Sequence, residues 1–248
     1  MPLFLDAHPT STLVRKLNSI GTLSEVERRA LQSLPVKIQI LGARQDIVRD
    51  GDQPTQCCLI LDGWACRYKL LSAGRRQILS FHIPGDIPNF QSLHLPTMDH
   101  GLATMKQVTV AFIPHESLRK LTADFPSLGS LLWRDTLIEA AMFRAWMTGM
   151  GRRTAFERIA HLFCEMYLKL QAVGLAENYR CSMPITQSDL ADALGLTPVH
   201  VNRVLQEMRG RSLISLSRST LVIEAWDDLL RASEFDPTYL HLERRVAA

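Results

Sequence analysis

The stretch QSDLADALGLTPVHVNRVLQ, residues Gln187 to Gln206, decides the fold of the C-terminal part of the chain. A helix-turn-helix needs a small residue where its two helices cross, a glycine in the turn, and apolar residues at fixed offsets between the helices. Ala191 is the small residue and Gly195 is the turn glycine. The apolar positions are filled by Leu190, Leu194, Leu196, Val201 and Val204. The stretch therefore predicts a helix-turn-helix.

Local chemistry also specifies where each helix of this pair begins. Thr186, followed three residues later by Asp189, resembles a cap for the first helix. Thr197 supplies an N-cap for the second helix, and Pro198 occupies its first helical position. Beyond the second helix, apolar runs at 213–216 and 221–223 flank the polar residues 217–220, which predicts a two-stranded wing.

Basic residues concentrate on this segment. From Pro198 to Thr220 the only acidic residue is Glu207, and the basic side chains are those of Arg203, Arg209, Arg211 and Arg218. On a helix in the major groove, the outward residues near the N-terminus meet base edges. Arginine can bind guanine and asparagine can bind adenine with two hydrogen bonds, and an apolar side chain can contact a thymine methyl. We therefore expect base contacts from Val199, His200, Asn202 and Arg203.

Phosphate contacts position a protein on DNA without reading its sequence. We expect them from Thr186, Gln187, Thr197, Ser217 and Arg218. An alternative is that this helix pair binds no nucleic acid, since similar pairs occur in other proteins and arginines on a helix can simply face solvent.

The segment before this domain predicts one long helix. Residues 127–150 contain no proline, and of these 24 residues 14 are apolar and four are charged. The apolar side chains cannot all lie on one stripe, so the helix must be covered on more than one side. We expect the β domain on one side and the same helix of a second subunit on the other. The interface is predicted at Leu131, Ile138, Met142 and Ala145; the alternative is a helix buried wholly within its own monomer.

The N-terminal region has a sequence pattern different from that of the long helix and the helix-turn-helix. Ser24 to Glu27 has the form of a capping box and predicts a short helix that ends before Pro35. From Ile38 to Ile113, short apolar runs alternate with turn signals that recur about every 11 residues. Short strands separated by regularly spaced turns are typical of an antiparallel barrel or roll.

Composition excludes several classes of protein. With 248 residues, 46% of them hydrophobic and 21% charged, the chain is neither disordered nor fibrous. No uncharged apolar run is long enough to span a bilayer, and the N-terminus lacks the basic region of a secretory signal, so we expect a soluble, cytoplasmic protein without membrane contact. Five scattered cysteines do not suggest a disulfide framework.

Several motifs resemble the Crp/Fnr family of bacterial transcription regulators. In the β region these are Ile47-Val48-Arg49-Asp50-Gly51-Asp52, Leu59-Ile60-Leu61-Asp62-Gly63, Gly74-Arg75-Arg76-Gln77-Ile78-Leu79 and Pro84-Gly85-Asp86. In the C-terminal region they are Arg158-Ile159-Ala160 and the segment from Ile185 to Arg203.

The resemblance implies an α+β fold in three parts. These are an antiparallel β-roll of the cupin-like, cyclic-nucleotide-binding type with N-terminal helices (1–125), a dimerisation helix (126–151) and a winged helix-turn-helix (152–248). It also implies a homodimer that binds pseudo-palindromic double-stranded DNA and recruits or blocks RNA polymerase.

The chain departs from the members of the family that bind cyclic AMP. These carry a Gly-Glu pair and then an Arg-Ser pair after the P-G-D motif, and neither pair occurs in residues 84–93 or 100–104. A buried cyclic phosphate needs a charge-assisted partner. Phe143-Arg144 also stands where those members place a Thr-Ser pair, so we do not expect cyclic AMP as the effector. The protein either responds to another small ligand or works without one.

Oxygen-sensing members of the family hold an iron–sulfur cluster on four cysteines, three of them near the N-terminus. This chain has no cysteine before Cys57, so we expect no such cluster and no other cofactor. Cys57 and Cys58 are adjacent in a predicted strand and point to opposite faces. We interpret all five cysteines as core thiols, with Cys57, Cys58 and Cys66 as redox reporters in the alternative interpretation.

An effector pocket, if there is one, is predicted between the roll and the central helix, with a lining suited to a mostly apolar molecule. Its expected residues are Arg75, Phe81, Ile83, Phe90, Trp133 and Phe143.

No sequence motif for a catalytic centre, a phosphate-binding loop or a zinc site occurs, so we predict neither an enzyme nor a metal protein. The leading hypothesis is a dimeric DNA-binding regulator. The alternative is a ligand-sensing module of the cyclic-nucleotide type that controls a partner protein without binding DNA. The effector, the target promoters and the sign of regulation do not follow from the sequence.

Overall fold

The computed structural model describes residues 8–243 and has an α+β architecture with two compact units. The first unit runs up to Arg67 and from Phe81 to Leu137, and the second comprises Tyr68–Ser80 and Ile138–Leu242. Antiparallel sheets dominate the N-terminal part, a long helix follows, and a helix-turn-helix lies in the C-terminal part, as the sequence predicts.

Two short helices precede the sheets, α1 (Ser11–Asn18) and α2 (Glu25–Gln32). The predicted capping box of α2 is confirmed: the Glu27 amide donates to Ser24 Oγ at 3.3 Å, and the Ser24 amide donates to the Glu27 carboxylate at 2.8 Å. Lys16 on α1 lies buried between two carboxylates, with Nζ 2.6 Å from Asp86 and 3.3 Å from Asp135. These ion pairs attach α1 to Asp86 of the P-G-D turn and to Asp135 of the long helix that follows the sheets.

Seven strands form two antiparallel sheets with the orders β1-β7-β3 and β2-β6-β4-β5. The bounds are β1 Lys37–Leu41, β2 Asp46–Val48, β3 Gln56–Asp62, β4 Ala65–Leu70, β5 Arg76–His82, β6 Gly101–Thr104 and β7 Val108–Pro114. Phe112 on the central strand β7 pairs with Lys37 on one side and Cys58 on the other. Gly63 joins β3 to β4 with φ +82°, and a Cβ there would lie 2.6 Å from the Gln107 carbonyl oxygen, so only glycine fits.

After α3 (His115–Asp124), one continuous helix, α4, runs over Pro126–Arg152. Its 27 residues span about 40 Å. The helix predicted over 127–150 is present, and it continues through Gly151 to Arg152 before the next helix begins at Ala155. Glycine lowers helix stability by only ~1 kcal/mol and keeps its N–H, and the Arg153 amide still donates to the Gly149 carbonyl at 3.0 Å.

The remaining elements belong to the second unit. They are α5 Ala155–Ala172, β8 Ala176–Glu177, β9 Arg180–Ser182, α6 Gln187–Leu194, α7 Pro198–Gly210, β10 Ile214–Ser217, β11 Thr220–Ile223 and α8 Trp226–Ser233. The predicted wing is confirmed as β10 and β11, but it belongs to a four-stranded sheet with the order β10-β11-β9-β8. Within residues 8–243, no helix combines the length and apolar character needed to cross a bilayer.

Candidate nucleic-acid interface

The helix-turn-helix consists of α6 and α7, and its predicted caps are present. The Thr186 amide donates to Asp189 Oδ2 at 3.0 Å and the Asp189 amide donates to Thr186 Oγ1 at 3.1 Å. Thr197 Oγ1 accepts from the His200 amide at 3.2 Å. Gly195 adopts the left-handed conformation, φ 63°, that ends α6 and turns the chain.

The apolar residues predicted between the two helices lie where expected. The buried ones are Leu190, Ala191, Leu194, Val201 and Val204, and Leu196 is half-buried. Packing of this set fixes α7 against α6, which leaves the opposite face of α7 in solvent.

The four residues predicted to read bases differ in exposure. Val199 is 82% exposed, Asn202 and Arg203 are exposed, and His200 is half-buried. Val199, Asn202 and Arg203 share one helix face, because residues three and four apart are neighbours on a helix. Gln206, which the sequence analysis did not single out, continues this face and is also exposed. We call these four residues, Val199, Asn202, Arg203 and Gln206, the reading face.

All five residues predicted to contact phosphates are exposed, namely Thr186, Gln187, Thr197, Ser217 and Arg218. Arg218 and Ser219 both have positive φ, 47° and 65°, and form the tight turn between β10 and β11. Arg218 is therefore at the tip of the wing. The hydroxyls of Thr186 and Thr197 already serve as helix caps, and Gln187 Nε2 donates to Asn202 Oδ1 at 3.5 Å. Ser217 and Arg218 therefore keep more freedom to contact a backbone phosphate.

The basic residues of the segment have different roles. Arg209 donates to the Leu216 carbonyl at 3.2 Å and joins α7 to the wing. Arg211 pairs with Glu207 at 2.6 Å. In the part of the chain that the structure describes, Arg203 and Arg218 form neither a side-chain hydrogen bond nor an ion pair. Their charges are available to a ligand.

Two residues of the β4–β5 hairpin, which belongs to the same unit, hold α6 in place. Arg76 donates from Nη2 to Asp189 at 2.7 Å and from Nε to Asp192 at 2.8 Å. Gln77 donates to the Ala193 carbonyl at 3.1 Å. Asp189 thus caps α6 with one oxygen and binds Arg76 with the other. No sequence pattern indicates this contact, because the partners are more than 110 residues apart.

Comparisons with known proteins agree with this geometry. Two family models match the chain, the cyclic nucleotide-binding domain over residues 39–125 and the Crp-like helix-turn-helix domain over residues 157–232. The nitrogen fixation regulation protein FixK of Rhizobium meliloti is 29% identical over 174 residues, which are 69% of this chain and 75% of FixK. The anaerobic regulatory protein of Haemophilus influenzae is 24% identical over 222 residues, 89% of this chain and 86% of that protein.

A solved structure, that of FixK2 from Bradyrhizobium japonicum, matches with a TM-score of 0.74 and 25% identity, over 82% of this chain and 100% of that one. The chain belongs to the Crp/Fnr family. It is a transcription regulator of the Crp/Fnr type, and the named relatives are regulators rather than enzymes. Family membership, function class and fold class are therefore as predicted from the sequence.

The long helix of this Crp/Fnr regulator presents a different face from the one predicted for dimer contacts. Leu131 and Ile138 are buried in the chain's own core, 8% and 6% exposed, and Met142 and Ala145 are half-buried. The sequence could not distinguish these faces, because α4 is apolar on several sides. Trp133, Leu137, Arg144 and Met147 are exposed. Together with the half-buried Ala140 they follow a spacing of four and three residues, which is the coiled-coil pattern. We call this set the α4 stripe.

The six residues predicted to line an effector pocket of this Crp/Fnr regulator have unlike surroundings. Phe81 and Ile83 are core side chains, each 1% exposed, whereas Arg75 and Trp133 are exposed. Phe90 is half-buried and Phe143 is 36% exposed. The pocket therefore stays a prediction.

All five cysteines of this Crp/Fnr regulator are buried, and none of them forms a disulfide within residues 8–243. Burial raises the pKa of Cys57 to about 12, and it raises the pKa of Cys58 as well. A redox-sensing thiol needs thiolate character and access to solvent. The surroundings of Cys57 and Cys58 fit core thiols better than redox reporters.

Proposed function

We propose that the chain acts as a homodimer that binds a pseudo-palindromic DNA site with two copies of α7, in the cytoplasm, and thereby recruits or blocks RNA polymerase. The observation that carries this proposal is the reading face, where amide, guanidinium and aliphatic groups are exposed. Among residues 8–243, neither its Arg203 nor Arg218 at the tip of the wing has a side-chain partner. In this proposal Val199, His200, Asn202 and Arg203 contact bases, and Gln187, Ser217 and Arg218 contact phosphates. Two half-sites should lie about one helical turn apart, ~34–36 Å.

The α4 stripe supports the dimer. Trp133 is 58% exposed, Leu137 is 50% exposed and Met147 is 74% exposed, which is unusual for large apolar side chains along one helix. A second copy of α4 would cover this stripe in the way that coiled coils cover their seams. We also propose the three-part organisation predicted from the sequence: a sensor roll, a dimerisation helix and a winged helix-turn-helix.

The segment after the P-G-D motif supports an effector other than cyclic AMP, because its polar side chains are bonded within the chain. Asn89 accepts from the Cys58 amide at 2.7 Å and donates to the Gln56 carbonyl at 3.0 Å. Ser92 donates to the Asn89 carbonyl at 2.7 Å and lies 2.9 Å from His115 Nε2. The side chains of Asn89 and Ser92 are thus bonded within the fold instead of being free to bind a cyclic phosphate.

Fluorescence anisotropy with the DNA upstream of the chain's own gene tests the proposal. We expect saturable binding by the dimer, an affinity that falls steeply between 50 and 200 mM salt, and weaker binding to scrambled DNA. Equal affinity for the scrambled duplex would exclude sequence-specific regulation through this DNA.

A further inference from the structure

A cavity lies within the unit that carries the helix-turn-helix, bounded by the C-terminal end of α4, by α5 and by the end of α6. It has about 290 Å³ of empty space, part of which is open to solvent. Three of its lining residues are basic, Arg153, Arg158 and His161, and none is acidic. The rest are small or apolar, with Trp146 and Met150 the largest.

The two arginines in this cavity are not neutralised. In the described part of the chain, neither forms an ion pair. Arg158 donates from Nη1 to the Leu194 carbonyl at 2.6 Å, while its Nε is buried without a hydrogen-bond partner. Arg153 reaches only the Ala145 carbonyl, at 3.5 Å. Each guanidinium has five N–H donors, so most of them have no partner among the described residues.

The histidine adds a neutral donor to these charges. Burial, together with the positive charge of Arg153, lowers the pKa of His161 to about 4. The imidazole is therefore neutral at pH 7 and carries one N–H and one acceptor nitrogen. The ends of α4 and α6 offer partial negative charge through their carbonyls. One of these carbonyls accepts from each arginine, and no carboxylate is among the residues that line the cavity.

We propose that this cavity binds a small oxyanion, the phosphate group of inorganic phosphate or of a short phosphomonoester. Guanidinium groups hold phosphate with paired, charge-assisted hydrogen bonds, and the buried Arg158 Nε is the kind of donor that such a ligand satisfies.

The ligand would bind beside groups that hold the helix-turn-helix. Arg158 contacts the carbonyl of Leu194, the last residue of α6. Met150 packs against the turn glycine, since a Cβ on Gly195 would lie 2.7 Å from Met150 Cε. A bound oxyanion would therefore share Arg158 with the end of α6.

Titration of the full-length protein with inorganic phosphate at constant ionic strength tests this site, with the arginine Nε–H signals followed by NMR. We expect saturable shifts of the Arg153 and Arg158 signals and a rise in the unfolding temperature. Arg153→Gln should weaken phosphate binding at least tenfold. Arg152→Gln is the matched control, because the neighbouring Arg152 is exposed and outside the cavity, and it should change the affinity less than twofold. A parallel titration with glycerol phosphate distinguishes free phosphate from a phosphomonoester.

Shifts that grow linearly without saturation, or an equal loss of affinity in both variants, would overturn the proposal. If Arg153→Gln does not fold, saturation of the wild-type signals shows whether phosphate binds. Arg158→Lys keeps the positive charge but loses the paired N–H donors of the guanidinium, so it should bind phosphate more weakly. The titration contains no DNA, so a negative result would leave the proposed DNA binding untouched.

Discussion

Arg203 stands exposed on the reading face and has no partner among residues 8–243. Replacing it with alanine should cost ~1–3 kcal/mol of binding free energy on the cognate DNA and relax the preference at one base pair. Arg231→Ala is a suitable control, because Arg231 is exposed on α8 and pairs only with Asp228 nearby. Anisotropy titrations against single-base variants of the site measure both effects. A uniform loss on every sequence would show that Arg203 contacts only phosphate.

The buried thiols lead to a second prediction for single residues. Burial raises the pKa of Cys57, Cys164 and Cys181, the last to about 11, so the folded protein holds these protons more tightly than the unfolded chain does. Their contribution to stability is complete below the ordinary thiol pKa, near 8.5, and is lost as the pH rises toward the folded values. At pH 8 the native protein should react slowly with a thiol reagent such as DTNB, and all five cysteines should react after unfolding. Rapid modification of the native protein would restore the redox-reporter interpretation.

Helix α6 depends on the side chains of the β4–β5 hairpin. Arg76→Ala leaves Asp189 and Asp192 without their shared partner, and we expect a loss of ~1–2 kcal/mol in the free energy of unfolding, since these groups are only partly buried. Arg75→Ala is the matched control, because Arg75 is adjacent and exposed. Urea unfolding of both variants gives the comparison. Equal stability of the two would mean that the Arg76 contacts contribute nothing measurable.

The sequence predicts an element well when the interactions that form it join residues close together in the chain. The caps at Thr186 and Thr197 act over three residues, so both helix starts could be predicted. Strands β8 and β9 are two and three residues long, too short to show a period, and were not predicted. The contact of Arg76 with α6 and the cavity around Arg153 arise from packing between distant segments. No sequence pattern indicates such contacts.

At the scale of the whole molecule, DNA affinity should depend on the α4 stripe. Leu137→Glu places a charge at the centre of the stripe, so we expect the dimer to dissociate and the affinity for a two-half-site duplex to fall at least 100-fold, because each half-site must then be bound separately. Leu95→Glu is the control: Leu95 is 59% exposed but lies outside α4. Sedimentation velocity and anisotropy on the same samples measure assembly and binding together. If Leu137→Glu remained dimeric, another surface would have to join the subunits. If it became monomeric yet bound DNA as tightly as before, two copies of α7 would not be required.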